Sequence, residues 1–519
     1  MKPLLYAAIL LASWPASGNE NRLRNGGFEQ GGPALANWSI PPYWSGEGKP
    51  TTKPEHVRTG KRAARLTTAS KGGRWWGRVL QVGPGETHLG RRTRLSVWAK
   101  GKGQLLLGVI RYTAPVPGKP HYHYLWQEQP VELNDTWQEV VLEFTILEPR
   151  FIRLATAIEL RGEGSEAFLD DAAFTEPIPP GLSTSLSPRH PMAATNQPVT
   201  LRFRVDRDGA PQPGKVLIQL APPEGEPVTT TAELPVGSDE LVHTFTPDQA
   251  GLWRATLIHL GHGVSESTFV DVLPPPQFAP FQTAAEKLLI PDGTYHVLVL
   301  GDSLTDFLRG RNYVDKTNFW LQQRGGSRCT VRNAGVGGDF ITRVWDRLNA
   351  KPKTYRLAMY DQLYEPKPQR VFLFLGHNDS KTSSTSGHRK HCVDPDTFRD
   401  LYRRSVAKIQ ADTGAQVTIL SATSSVFEIT KANADKRAAI GKAHSLFGDP
   451  VHLETFNRIA KGIAKELHCD YIDVYQPTRD HPQKKTLFAA DGVHLSNAGN
   501  QLIALEILRY LGTPDGDGE

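Results

Sequence analysis

YHVLVLGDSLTDF, residues 295–307, decides the fold of the C-terminal half of this chain. Residues 297–300 are a continuous apolar run, not an alternating one, which marks a strand covered on both faces. Gly301, Asp302 and Ser303 follow at once, and these residue types suit a tight strand-to-helix turn. Ser303 thus stands just past the carboxyl end of a parallel strand, where open α/β sheets place their ligands. Further short apolar runs recur at 371–375, 417–420 and 471–474, alternating with helix-like stretches at 396–411 and 451–467. That alternation predicts a parallel sheet with helices on both faces.

Two more blocks fall where such a sheet would end its second and third strands, and a third lies near the chain's end. Asn333-Ala334-Gly335-Val336-Gly337-Gly338-Asp339 is a glycine-rich turn that lets backbone approach a ligand closely. Gly376-His377-Asn378-Asp379 aims an amide side chain into the same crevice, and Asp491-Gly492-Val493-His494 sets a carboxylate three residues before a histidine. Ser303, His494 and Asp491 together supply a nucleophile, a base to activate it and an acid to orient the base. Gly-Asp-Ser-Leu alone is an ordinary turn sequence; the four blocks in this order are specific.

In that order the blocks resemble the SGNH (GDSL) hydrolase superfamily over about residues 290 to 512. The resemblance implies a three-layer, flavodoxin-like α/β domain with strand order 2-1-3-4-5. It implies Ser303 as nucleophile, His494 as general base and Asp491 as its orienting acid. The oxyanion hole would be the Ser303 and Gly338 backbone N–H groups with the Asn378 side chain, and no metal or organic cofactor would take part. Position 305 is Thr, so the second Gly of the G-x-S-x-G elbow is absent and the classical α/β-hydrolases are a poor match. The implied order sets Cys329 and Cys469 at opposite sheet edges, against a disulfide between them. Arg309 and Arg343 lie near the motifs, as do Arg311 and Lys381, and are candidate contacts for an anionic or hydroxyl-rich substrate. Residues 423–437, after the fourth strand, are the candidate substrate-shaping loop. His377, His388 and His391 lack a zinc-site pattern and read as ordinary polar residues.

Residues 19–176 differ in kind. Short alternating segments at 94–98, 104–109 and 139–144, separated by Gly, Pro and polar turns, predict an all-β sandwich. The start NGGFEQG, the middle TGKRAARL, the strand WQEVVLEF and the end AFLDDAAF resemble the jelly-roll carbohydrate-binding modules. Such modules often hold a structural calcium, for which Glu29 and Asp170 occupy the matching positions. Trp44, Trp75, Trp76 and the rings in His121-Tyr122-His123-Tyr124-Leu125-Trp126 are candidate sugar platforms, with Tyr122, Tyr124 and Trp126 on one strand face. Each of these rings is also a natural core residue. Residues 177–276, between two Pro-rich joints, predict an immunoglobulin-like β-sandwich acting as a spacer, with Trp253 at its aromatic corner.

Composition narrows the function. A 39% hydrophobic and 22% charged chain is globular, and a net charge of +6 without a run of five basic residues gives no nucleic-acid footprint. Lys2, the apolar stretch 4–14 and Ala16-Ser17-Gly18 read as a signal peptide over residues 1–18, and no later stretch is long enough for a membrane span. Three cysteines give no disulfide framework.

The expectation is a multidomain chain: signal peptide 1–18, jelly roll 19–176, immunoglobulin-like domain 177–276 and catalytic α/β domain 285–514. Its expected activity is removal of acyl groups, acetyl foremost, from a polysaccharide or oligosaccharide by a secreted or periplasmic serine esterase. The alternatives are a lipolytic or aryl esterase, a glycan-binding protein with an inactive hydrolase domain, and acyl transfer to another sugar.

Overall fold

The structure is a computed structural model that describes residues 21–31, 34–40, 46–71, 74–86, 88–113, 121–151 and 153–513. The signal peptide and Trp44 lie outside the described residues, as does the side chain of Trp75.

The C-terminal domain is built on five parallel strands, Tyr295–Gly301, Cys329–Asn333, Arg370–Phe374, Gln416–Leu420 and Asp470–Ile472. Their order is 2-1-3-4-5, so the first and third strands are neighbours, with Gly301 in register with Phe374. The apolar runs split by parity. Val297, Val299, Phe372, Phe374 and Leu420 face one core, packed under helices Pro275–Glu286, Tyr313–Gly325 and Asn497–Leu511. Leu298, Leu300, Val371, Leu373, Val417 and Ile419 face the other, under helices Ile341–Leu348, Pro395–Thr413 and Pro450–Glu466. Burial on both sides is why these strands read as unbroken hydrophobic runs. The two long helices begin where Asp394 and Asp449 cap free N–H groups and Pro occupies the first helical position. Cys329 and Cys469 sit at the outer strands, and all three cysteines are free.

The N-terminal region is β-rich, with nine strands among the described residues joined in one hydrogen-bonded system. The segments 94–98 and 104–109, expected as separate strands, are parts of one strand, Arg92–Tyr112, paired along most of its length with Arg153–Thr175. Register shifts fall at 96/98 and at 102/104, the second where Gly101 and Gly103 take positive φ, so local breaks in alternation mark bulges rather than chain turns. Leu105, Leu107, Val109, Ile158 and Leu160 fill the core on one face. The opposite face carries Leu80, Ile110, Ala155 and Ala157 with Tyr112, Tyr124 and Trp126 against them.

Between these regions two sheets of four and five strands enclose a core of Leu201, Phe203, Val216, Ile218, Trp253 and Leu257. The Trp253 indole N–H donates to Gln249 O at 2.9 Å, closing the turn that precedes its strand. This unit does not hang as a spacer. Pro275 opens a helix whose Phe278 and Phe281 enter the catalytic core beside Met192 and Leu273 of the β unit. Buried Asp271 takes the Lys316 ammonium at 2.6 Å, with Asn497 and Gln501 donating to the same carboxylate. The Pro-rich joint expected to limit swing is thus a helix start fused to the catalytic core. Among the described residues no helix is long and apolar enough to cross a membrane.

Candidate functional site

The nucleophile turn is fixed by its neighbours. Asp302 caps the four-residue helix Ser303–Asp306 by accepting from Leu304 N at 2.9 Å. Asp306, fully buried, accepts from Gly337 N and from Arg309 and Arg356, tying this helix to the glycine-rich turn. Gly335 sits so close that a Cβ there would lie 2.6 Å from the Thr305 side chain, which explains the glycine.

Ser303 Oγ lies 2.9 Å from His494 Nε2, and His494 Nδ1 lies 2.5 Å from Asp491 Oδ2. Asp491 Oδ1 accepts from the backbone N–H groups of Val493 and His494, which locks the carboxylate in place. Burial pushes the Asp491 carboxyl up, but the hydrogen bond and charge of His494 and those two amides outweigh it and hold it below the ordinary value. Gly492, at φ 78°, makes the turn that brings acid and base together; a Cβ there would meet Val426 O at 2.8 Å. Phe307, the last residue of the stretch 295–307, stacks on the His494 ring with centroids 4.9 Å apart.

Asn378 reaches the same crevice from the end of the third strand. Its Nδ2 donates to Asp302 Oδ2 at 3.3 Å and its Oδ1 accepts from Lys381 Nζ at 3.1 Å, so both neighbours set the amide's orientation. Gly338, at φ 78° and with open space where a side chain would be, lines the crevice opposite. His377 accepts from Thr423 N through Nε2 at 2.9 Å, joining the third and fourth strand ends. Behind these groups Asp379 and Asp339 are buried, and burial pushes their carboxyls up to about 7 and about 6.

The opening is a cavity of about 400 Å³. Ser303, His494, Asp491, Asn378 and Gly338 line it with apolar Leu304, Phe307, Ala434, Phe447 and Val493. The segment 423–437, read as a loop, is largely the helix Phe427–Ala438, which gives the cavity Thr430, Asn433, Ala434 and Arg437. Its polar face looked loop-like because few of its residues are buried.

Two of the arginines named as candidate substrate contacts, Arg309 and Arg343, fare differently. Arg309 is a correction: its guanidinium is spent on Asp306 and on the carbonyls of Asn333 and Gly335, so it braces the turn and does not line the cavity. Arg343 lies over the Phe340 and Tyr355 rings and donates weakly to Gly338 O at 3.4 Å, touching the site only through that peptide.

In the N-terminal region Glu29 and Asp170 converge on one turn. Glu29 Oε1 accepts from Lys61 and Arg62 N, and Asp170 from Arg58, Thr59 and Asp171 N. No group of three or more metal-ligating side chains occurs among the described residues. On the apolar sheet face Tyr124 and Trp126 stack at 5.4 Å, and Tyr122 stands edge-on to Tyr124 and is 47% exposed. Arg78 lies over the Trp126 ring and pairs with buried Glu159.

The GDSL-like Lipase/Acylhydrolase family model matches residues 299–502. No curated protein matches the chain. Among solved structures the chain is similar to the lipase/acylhydrolase from Enterococcus faecalis, at 21% identity over 42% of this chain and 96% of that one, with TM-score 0.33. A lipolytic G-D-S-L family member from Veillonella parvula matches at 19% identity, 41% and 97% coverage and TM-score 0.29. The CBM22-1 xylan-binding domain of Paenibacillus barcinonensis Xyn10C matches at 15% identity, 31% and 96% coverage and TM-score 0.25. The four sequence blocks meet at one crevice inside the matched segment, and residues 299–502 are a domain of the GDSL-like lipase/acylhydrolase family, an ester-hydrolysing serine hydrolase.

Proposed function

We propose that this protein is an exported carbohydrate esterase that removes acyl groups, acetyl foremost, from a polysaccharide. The observation that carries the chemistry is the continuous chain Ser303–His494–Asp491, with links of 2.9 and 2.5 Å, opening into the cavity. His494 Nε2 takes the Ser303 proton as Oγ attacks the ester carbonyl, and Asp491 stabilises the imidazolium. Charge gathering on the carbonyl oxygen is met by the Ser303 and Gly338 N–H groups and the Asn378 amide, whose orientation Lys381 and Asp302 set. His494 then protonates the leaving alcohol, and water enters by the same route to release the acid.

The carbohydrate half rests on the Tyr122, Tyr124 and Trp126 rings, whose flat faces suit the C–H face of a pyranose. A tethered sugar-binding face raises the effective concentration of ester around Ser303. The reading includes the division 1–18, 19–176, 177–276 and 285–514, an immunoglobulin-like middle domain and secretion. It also includes a structural calcium at Glu29 and Asp170: these give two hard carboxylate groups to one turn, and Glu29 Oε2 accepts no hydrogen bond among the described residues.

A lipolytic or aryl esterase is the second reading, favoured by the apolar lining from Leu304, Phe307, Phe447 and Val493. Acetate release from a panel of acetylated polysaccharides, beside a short-chain aryl acetate and a Ser303→Ala control, separates the two. Release from a glycan that Ser303→Ala abolishes is expected; turnover of the aryl ester alone would leave the second reading, and activity retained by Ser303→Ala would remove the nucleophile.

A further inference from the structure

The wall of the cavity beyond the reacting atoms is cationic. Two charged side chains stand there besides the His494–Asp491 pair, Lys381 and Arg437. Lys381 Nζ donates to Asn378 Oδ1 at 3.1 Å and lies 5.0 Å from the Phe447 ring centroid. Arg437, at the exposed C-terminal end of the helix over the cavity, gives Nε and Nη2 to the single carbonyl of Ala443, at 3.4 and 3.2 Å. Neither forms an ion pair with a carboxylate among the described residues. Three nearby cations are paired, Lys431 with Asp435, Lys485 with Glu428 and Arg479 with Asp480, and none of these three lines the cavity. Asp491, the carboxylate that lines the cavity, is committed to His494 and two amides. Buried Asp302 and Asp379 stand behind the wall and do not line it.

We infer that the substrate of this site carries a carboxylate near its scissile acyl group, as an acylated uronic-acid polysaccharide does, and that Arg437 with Lys381 receives it. The inference rests on the esterase reading above and narrows its substrate class. A guanidinium presents five N–H donors in a fixed fork that matches a carboxylate, and Arg437 uses two of them within the protein. Lys381 and Arg437 carry donors and no acceptor, whereas the wall's neutral polar side chains, His377, Thr430, Asn433 and Ser445, carry no charge to compete for a carboxylate.

The test measures acetate release from acetylated pectin and from the same material after its carboxyl groups are reduced to alcohols. The wild-type chain is compared with Arg437→Gln and Arg437→Lys, and an aryl acetate reports the esterase itself. We expect kcat/KM to favour the charged polymer by about tenfold, carried mainly by KM, and to lose that preference with added salt. Arg437→Gln erases most of the ratio between the two polymers, and Arg437→Lys restores part of it. Equal rates on both polymers, a ratio that Arg437→Gln leaves intact, or preference for an anionic lipid ester over both would overturn the inference. Loss of aryl acetate turnover in the wild-type chain would instead bring down the esterase reading and this inference with it.

Discussion

Replacing Asp491 with Asn tests whether the acid orients the base, because the geometry gives the amide no good way to sit. The carboxylate has acceptors on both sides: Oδ2 faces His494 Nδ1 at 2.5 Å, and Oδ1 faces two backbone N–H groups at 2.9 and 3.0 Å. An Asn that keeps its oxygen toward the amides turns its NH₂ on Nδ1. The imidazole must then accept there and carry its proton on Nε2, where it meets the Ser303 hydroxyl it should deprotonate. In the serine-protease template this tautomer change lowers kcat by about 10⁴, or about 5.5 kcal/mol of barrier. The flipped amide restores the tautomer but sets a donor against two amide donors, a mismatch of about 1–3 kcal/mol for each group left unsatisfied in a buried site. Side-chain exposure of 46% at Asp491 lets water relieve part of that cost, so stability falls less than activity. The assay is kcat/KM on an aryl acetate, with thermal melting as the control for folding. We expect a loss of about 10³–10⁴ with the melting temperature nearly unchanged. A variant retaining more than about a tenth of the wild-type rate would refute the argument, since the wrong tautomer cannot support that turnover.

Asp271→Ala leaves the Lys316 ammonium, 2% exposed, without its counter-charge, and should cost about 3–5 kcal/mol in urea unfolding. A loss below about 1 kcal/mol would mean the β unit and the catalytic domain are not joined by this pair. Burial raises the Asp379 carboxyl to about 7, so its proton is held more tightly folded than unfolded: the stability it contributes is full below about pH 4 and is lost as pH rises toward 7. Asp379→Asn, which keeps an oxygen for the Ile341 N–H, should therefore exceed the wild type in stability at pH 8, and equal curves at pH 4 and pH 8 would contradict this. Chelation by EGTA should lower the melting temperature of the N-terminal region by several degrees, and an unchanged melt in calcium and EGTA would remove the ion from Glu29 and Asp170.

The blocks of the candidate site were legible because each is a short local pattern. The blocks around Ser303, Gly338, Asn378 and His494 need glycine, an amide or a His–Asp pair at fixed short spacings, and all four line one cavity. What surrounds them was legible only in part, through Lys381 and the segment 423–437. Arg309 resembled a substrate contact because its three hydrogen-bond partners come from two separate segments, 306 and 333–335. Arg437 was visible only as the last residue of the segment 423–437, since an arginine on a polar helix looks the same over a cavity or over solvent. Trp253, by contrast, bonds a carbonyl only four residues back, a contact that lies within one turn.

The sequence by itself determined the period and type of the elements. Apolar runs of four or five residues specify strands buried on both faces, and strand-to-helix alternation specifies the parallel sheet, because each residue's side-chain direction follows from local backbone geometry. Only the tertiary structure decided the long-range pairings: the bent 92–112 strand, Lys316 on Asp271, Lys381 on Asn378 and the helix Phe427–Ala438 over the cavity. Those contacts join distant segments through complementary shape and charge that no window of sequence contains, and the packing of whole elements selects them.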